Sequence, residues 1–165
     1  MKKNILMMAA VIVMTLSLSS SAQVFFMQNP NVGKPAEDFT LKTVGGGETT
    51  FQDVRDGGKA IVFFWATWCP HCREALGKLR QSQQELKDQK IKLILVDVGE
   101  EEAAVKSYLD RNKIDMEVFL DEQTDVSGLY GVIGIPTFYF VGEDGIIRKV
   151  QNAFPQDLEQ SFYGG

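Results

Sequence analysis

Cysteine is scarce in this sequence: there are two, Cys69 and Cys72, in 165 residues, and the only histidine, His71, stands between them. Two cysteines cannot make the multi-disulfide framework of a small stapled scaffold. A chain of this length buries roughly two thirds of its unfolded surface and needs no staple. A tetrahedral zinc site needs four ligands, which one chain with this cysteine and histidine count does not supply. No cluster of lysine and arginine interleaved with aromatics is present, which argues against a nucleic-acid partner. No apolar run reaches the ~20 residues that comfortably cross a bilayer.

What is present is an ordinary globular composition, 44% hydrophobic and 24% charged, with a formal net charge of -5. The acidic balance speaks for solubility and names no substrate. The longest apolar run, Ile5 to Leu18, follows Met1-Lys2-Lys3 and precedes Ser19-Ser20-Ser21-Ala22. A basic start, a short apolar centre and small residues before Gln23 predict a cleaved export signal over 1–22. An uncleaved N-terminal membrane anchor is the alternative. Cleavage would leave 15 basic against 22 acidic residues, a formal -7. No cysteine precedes Cys69, so a lipid-modified N-terminal cysteine is excluded. Export implies a periplasm or outer cell surface, where disulfides persist. Residues 23–30 are expected to form a flexible arm, and 31–165 one domain.

Within that domain, Phe39-Thr40-Leu41 and Thr49-Thr50-Phe51 flank Gly45-Gly46-Gly47 and predict a hairpin. Ala60 to Trp65 and Ile91 to Val98 are apolar runs of the kind found in strands buried on both faces. From Cys72 the period changes: Cys72, Ala75, Leu76, Leu79 and Leu86 recur at helical spacing. Glu100-Glu101-Glu102 opens a second helix, with Ala104, Val105, Tyr108 and Leu109 on one face. Met116 to Leu120 reads as a strand, and Glu122 to Tyr130 as a short helix or turn. Thr137 to Val141 and Ile146 to Val150 alternate around an Asp144-Gly145 turn, and Gln156 to Tyr163 is a weak terminal helix. Strand–helix alternation followed by a hairpin predicts an α/β fold, a mixed sheet with helices on both faces.

Cys69-Pro70-His71-Cys72 lies where a buried strand turns into a helix. Two cysteines three apart on a first helical turn can close a small disulfide ring. Free N–H groups and the positive dipole end stabilise a thiolate there, and only the thiolate attacks a disulfide. Pro70 suits a first turn. His71, protonated or donating, would add to the stabilisation of Cys69. A purely structural role is disfavoured, because so short a loop removes little unfolded-state entropy. A metal shared by two chains and a redox pair remain, and the redox pair is the expected role.

Phe64-Trp65-Ala66-Thr67-Trp68-Cys69-Pro70-His71-Cys72 resembles the active-site segment of the thioredoxin superfamily. Gly131-Val132-Ile133-Gly134-Ile135-Pro136-Thr137 resembles its cis-proline loop. Gly33-Lys34-Pro35-Ala36-Glu37-Asp38-Phe39-Thr40-Leu41 is similar to the N-terminal hairpin of the exported TlpA/ResA-like branch. The sixty-seven residues from Cys69 to Pro136 leave room for that branch's inserted strand and helix, across Glu100 to Leu120. The resemblance implies a thioredoxin-like fold and thiol–disulfide exchange. Cys69 would attack and Cys72 resolve. Pro136 would be cis and set the Ile135 backbone beside the disulfide to pair with an extended substrate. Trp65 and Trp68 would pack around the site, or serve the core alone. No cofactor beyond the cysteine pair is implied. Implied partners are thiols or disulfides of exported proteins, with apocytochrome c among the candidates, and a membrane redox partner that recycles the site.

Three positions depart from the pattern. Phe63 stands where thioredoxin keeps a buried acid. Ala75 stands where ResA-like proteins place a glutamate, and Glu74 is one residue early. Gly77 replaces a helix-kinking proline, which predicts a softer bend. Direction is read two ways. Pro70-His71 is the central dipeptide of the oxidant DsbA, and a stabilised thiolate makes a disulfide more oxidising. The TlpA/ResA-like branch usually reduces, and reduction is the expected direction. A thiol peroxidase is disfavoured by Ala66 and Val62 at the positions of that motif's threonine and proline. A binding module without catalysis is disfavoured by the intact cysteines.

Overall fold

The computed structural model describes residues 29–163; the expected export signal and nearly all of the expected arm lie outside them. Residues from Asn31 onward form one compact unit. Its strands are β1 (Thr40–Thr43), β2 (Glu48–Thr50), β3 (Lys59–Trp65), β4 (Ile91–Val98), β5 (Val118–Asp121), β6 (Thr137–Val141) and β7 (Ile147–Gln151). Its helices are α1 (Phe51–Arg55), α2 (Pro70–Gln81), α3 (Gln83–Asp88), α4 (Glu102–Asn112), α5 (Asp125–Leu129) and α6 (Gln160–Tyr163). The strands make one sheet in the order β2-β1-β5-β4-β3-β6-β7. The β3–β4 and β4–β5 pairs are parallel, so each needs a helical crossover, which α2–α3 and α4 provide. The other pairs are antiparallel, and the expected mixed sheet is the one found.

Strand alternation sorts the core into two layers. Ile61, Phe63 and Trp65 of β3 join Leu95, Phe138 and Phe140 beneath α2, α4 and α6, in the same cluster as Cys69 and Cys72. Val62 and Phe64 face the other way, toward Phe39, Phe51, Val126, Tyr130 and Tyr139. Phe63 is wholly buried and stacks on Phe138 at 4.3 Å between centroids. A charged group at that position would sit in aromatic packing.

Four of the boundaries that differ from the sequence reading have a visible cause. Phe51 begins α1 and does not extend β2, because Thr50 caps the helix: its Oγ1 accepts the Asp53 N–H at 3.0 Å. The helix expected from Cys72 to Leu86 turns at Ser82 and leaves Gly77 inside α2. The turn keeps Leu86 buried on the sheet. β5 starts at Val118, where the chain first pairs with β4. The terminal helix shrinks to Gln160–Tyr163, capped by the Asp157 carboxylate, which accepts the Gln160 N–H.

Candidate active site

The buried strand β3 delivers Ala66, Thr67 and Trp68 to its C-terminal edge, and α2 starts immediately after them. Cys69 is the N-cap of α2 and Pro70 its first residue. The two cysteines form a disulfide with Cα atoms 5.2 Å apart. The Cys72 backbone N–H donates to Cys69 Sγ at 3.2 Å, so one of the free donors of the helix start points at the sulfur. Cys69 keeps slight exposure at 4%, whereas Cys72 has none. An incoming sulfur therefore reaches Cys69 first.

The Ile135–Pro136 peptide is cis, as the resemblance implied. The Ile135 carbonyl oxygen lies 3.8 Å from Cys69 Sγ. Asn152, just past β7, fixes this loop. Its Nδ2 donates to the Pro136 carbonyl at 2.9 Å and to Thr137 Oγ1 at 2.8 Å, and that hydroxyl donates to the Gly134 carbonyl at 2.6 Å. Sequence reasoning missed Asn152, because its position beside Pro136 follows from the β6–β7 register. Trp68 and Ile133 are exposed large apolar side chains, in the segments that precede Cys69 and Pro136. Trp65 is wholly buried, with its ring 5.9 Å from that of Tyr108, and belongs to the core.

His71 is exposed and makes no hydrogen bond to Cys69 among the described residues. It borders a shallow cleft of about 120 Å³ with Glu74, Ala75, Pro136, Asn152 and Phe154. The hydrogen bond from Lys78, and then its charge, hold the Glu74 carboxyl below the usual range, with a smaller pull from His71. Glu74 and Lys78 are both solvated, at 2.8 Å.

In the apolar run of β4, Asp97 is a lone acid, fully buried and paired in register with Trp65. No N–H or O–H reaches either of its oxygens in hydrogen-bonding geometry. Burial first, then the nearby Glu100 carboxyl, push the Asp97 carboxyl up to about 8. Glu100 in turn accepts the Thr67 N–H at 2.6 Å and the Thr67 hydroxyl at 2.7 Å. The face that lacks an acid at Phe63 thus carries one on the next strand.

Residues 32–150 match the profile of the AhpC/TSA family. The chain belongs to the AhpC/TSA family. Among its relatives there, the thioredoxin-like protein YneN of Bacillus subtilis (strain 168) is 32% identical over 123 residues, 72% of this chain and 69% of its own. The thiol-disulfide oxidoreductase ResA of Bacillus thuringiensis (strain Al Hakam) is 27% identical and covers 99% of this chain and 96% of its own. The crystal structure of StoA from Bacillus subtilis superposes with a TM-score of 0.62 at 27% identity, over 79% of this chain and 96% of that one. The thioredoxin domain of a thiol-disulfide oxidoreductase from Bacteroides vulgatus gives 0.67 at 23%, over 76% and 91%, a likeness of fold. With its paired cysteines, this AhpC/TSA chain is a thiol–disulfide oxidoreductase of thioredoxin-like fold.

Proposed function

We propose that the protein is an exported reductant, which passes two electrons from the Cys69–Cys72 dithiol to disulfides in exported proteins. The observation that carries the direction is the placement of His71. An oxidising disulfide needs a strongly stabilised Cys69 thiolate. Here one backbone N–H reaches Cys69 Sγ and the imidazole does not. Among the described residues, the Pro70-His71 dipeptide brings no imidazole hydrogen bond to Cys69 in this disulfide form.

In the cycle, the Cys69 thiolate attacks one sulfur of a substrate disulfide, and the other substrate sulfur leaves as thiolate. Cys72 loses its proton and attacks Cys69 Sγ. The Cys69–Cys72 bond forms as the mixed disulfide breaks, and the second substrate thiolate departs. Both substrate thiolates take up protons. The substrate has gained two electrons and the protein has lost two, with no group beyond the cysteines. The Ile135 backbone and the exposed rings and chains of Trp68 and Ile133 would receive an extended, partly apolar segment. His71 and Pro70 shape the edge of the site. A membrane redox partner that restores the dithiol completes the scheme.

Among exported substrates, a Cys-x-x-Cys-His segment awaiting haem attachment fits, since haem can be attached only to its reduced thiols. The test is a peptide of that pattern, offered oxidised to the reduced protein and reduced to the oxidised protein. The expected result is near-stoichiometric reduction of the peptide in the first mixture and little reaction in the second. Net oxidation of the dithiol peptide would reverse the direction.

A further inference from the structure

We propose that Asp97 carries a proton aimed at Glu100 and, through Glu100, holds the Thr67 turn that precedes Cys69, so that losing this proton loosens the active-site loop. The case starts from an orphan. Among the described residues, the buried side-chain polar atoms without a hydrogen-bond partner are both carboxyl oxygens of Asp97 and the indole N–H of Trp65. Their residues are register partners on β3 and β4. An ionised carboxylate buried without donors is strongly disfavoured, and the usual remedy is a proton.

The neighbours agree with that assignment. Alternation along β4 places Asp97 on the face of Ile91, Leu93 and Leu95, beneath α2 and in the layer of Cys69 and Cys72. Glu100 lies within reach from the loop after β4, and after burial its carboxyl raises the proton affinity of Asp97. Asp121 at the end of β5 adds negative charge and is occupied in accepting the Val126 and Ser127 N–H groups. From α2, Arg73 donates to the Thr67 carbonyl at 3.3 Å and not to either acid. From α4, Tyr108 packs on the Trp65 ring, and burial raises its phenol. Among the described residues, no cation acts on Asp97 to offset them.

A proton on Asp97 therefore has one acceptor suited to it, the Glu100 carboxylate, whose oxygens already accept the two Thr67 donors. With that proton in place the chain of bonds would run from Asp97 through Glu100 to Thr67, two residues before Cys69, whose own N–H donates to the Ala66 carbonyl at 3.3 Å. Removing the proton leaves two carboxylates facing each other in a dry site. Asp97 is sealed in, so the half-buried Glu100 yields toward solvent and releases Thr67. The proton leaves through the same side. Asp97 and Glu100 are thus positioning residues for the loop that carries the attacking sulfur. The inference rests on exchange at Cys69 but not on its direction.

The test follows the Thr67 amide by NMR in the oxidised full chain, without substrate, from pH 6 to 10. A short N–H···carboxylate bond should shift that proton far downfield, and the shift should collapse with a midpoint near 8. Asp97→Asn, which still donates to Glu100 but cannot titrate, should keep the shift at every pH. Glu100→Gln should lack the downfield shift throughout. In the reduced protein, alkylation of Cys69 should depart several-fold from a single-thiolate curve above pH 8, and Asp97→Asn should follow that single curve. A Thr67 resonance constant across the range, or an inflection that survives Asp97→Asn, would overturn the proposal. If Asp97→Asn does not fold, the wild-type titration and Glu100→Gln decide it alone.

Discussion

Cys72→Ser is expected to accumulate a mixed disulfide between Cys69 and substrate, while turnover falls by about a thousandfold or more. Cys69→Ser should lose as much turnover but trap nothing. The asymmetry follows from burial at the start of α2. Cys69 retains a sliver of exposure as the N-cap, and Cys72 has none, one helical turn further in. An external disulfide meets Cys69 alone. Cys72 can reach only the sulfur beside it, held at disulfide distance across that turn. With serine at 72, the second displacement has no thiolate and the adduct persists. Intact mass after incubation with an oxidised peptide reads both outcomes. Equal trapping by the two variants would show that either sulfur can be attacked and would remove the assigned division of labour.

Phe63→Ala should lower unfolding stability by roughly 3–5 kcal/mol, the range for deleting a fully buried phenylalanine. The ring lies at the centre of the sheet, stacked on Phe138 at 4.3 Å and on Trp65 at 6.4 Å. The backbone around it is fixed by parallel pairing to β4 and antiparallel pairing to β6. Neighbours tied on both sides cannot collapse into the space, so the upper part of the range applies. Denaturant unfolding should show a lower midpoint with an unchanged slope. A loss below about 1 kcal/mol would mean that this layer repacks freely. The site should suffer less than the stability, because Cys69 is positioned by the start of α2 and by the loop around Pro136.

The sequence exposes the chemistry more completely than the architecture that tunes it. The cysteine pair, its place after a buried strand, and the downstream Ile135-Pro136 step are local patterns, and the structure places Ile135 beside Cys69. Strands β3, β4 and β6 are legible because each is built mainly of apolar residues. Helix ends are less so. Phe51 follows two threonines and looks like strand until the Thr50 cap is seen. The bend at Ser82 has no proline or glycine to mark it and reflects the need to keep Leu86 on the sheet. Asn152 acts through a hairpin register that no single stretch of sequence declares. Asp97 is different: one acid within Leu93-Ile94-Leu95-Val96-Asp97-Val98 breaks a buried strand and was there to be noticed. Its partnership with Glu100 and Thr67 needed coordinates, since it joins two loops thirty-three residues apart. His71 is named by the motif, and the structure adds that it borders the cleft beside Pro136.

The central claim is that Cys69–Cys72 exchanges disulfides as a reductant, with a thiolate stabilised by the helix start. The most direct measurement is the equilibrium potential of that pair against glutathione buffers at neutral pH. The account predicts a value near -270 mV, in the range of thioredoxin. A value near -120 mV, the range of DsbA, would contradict it.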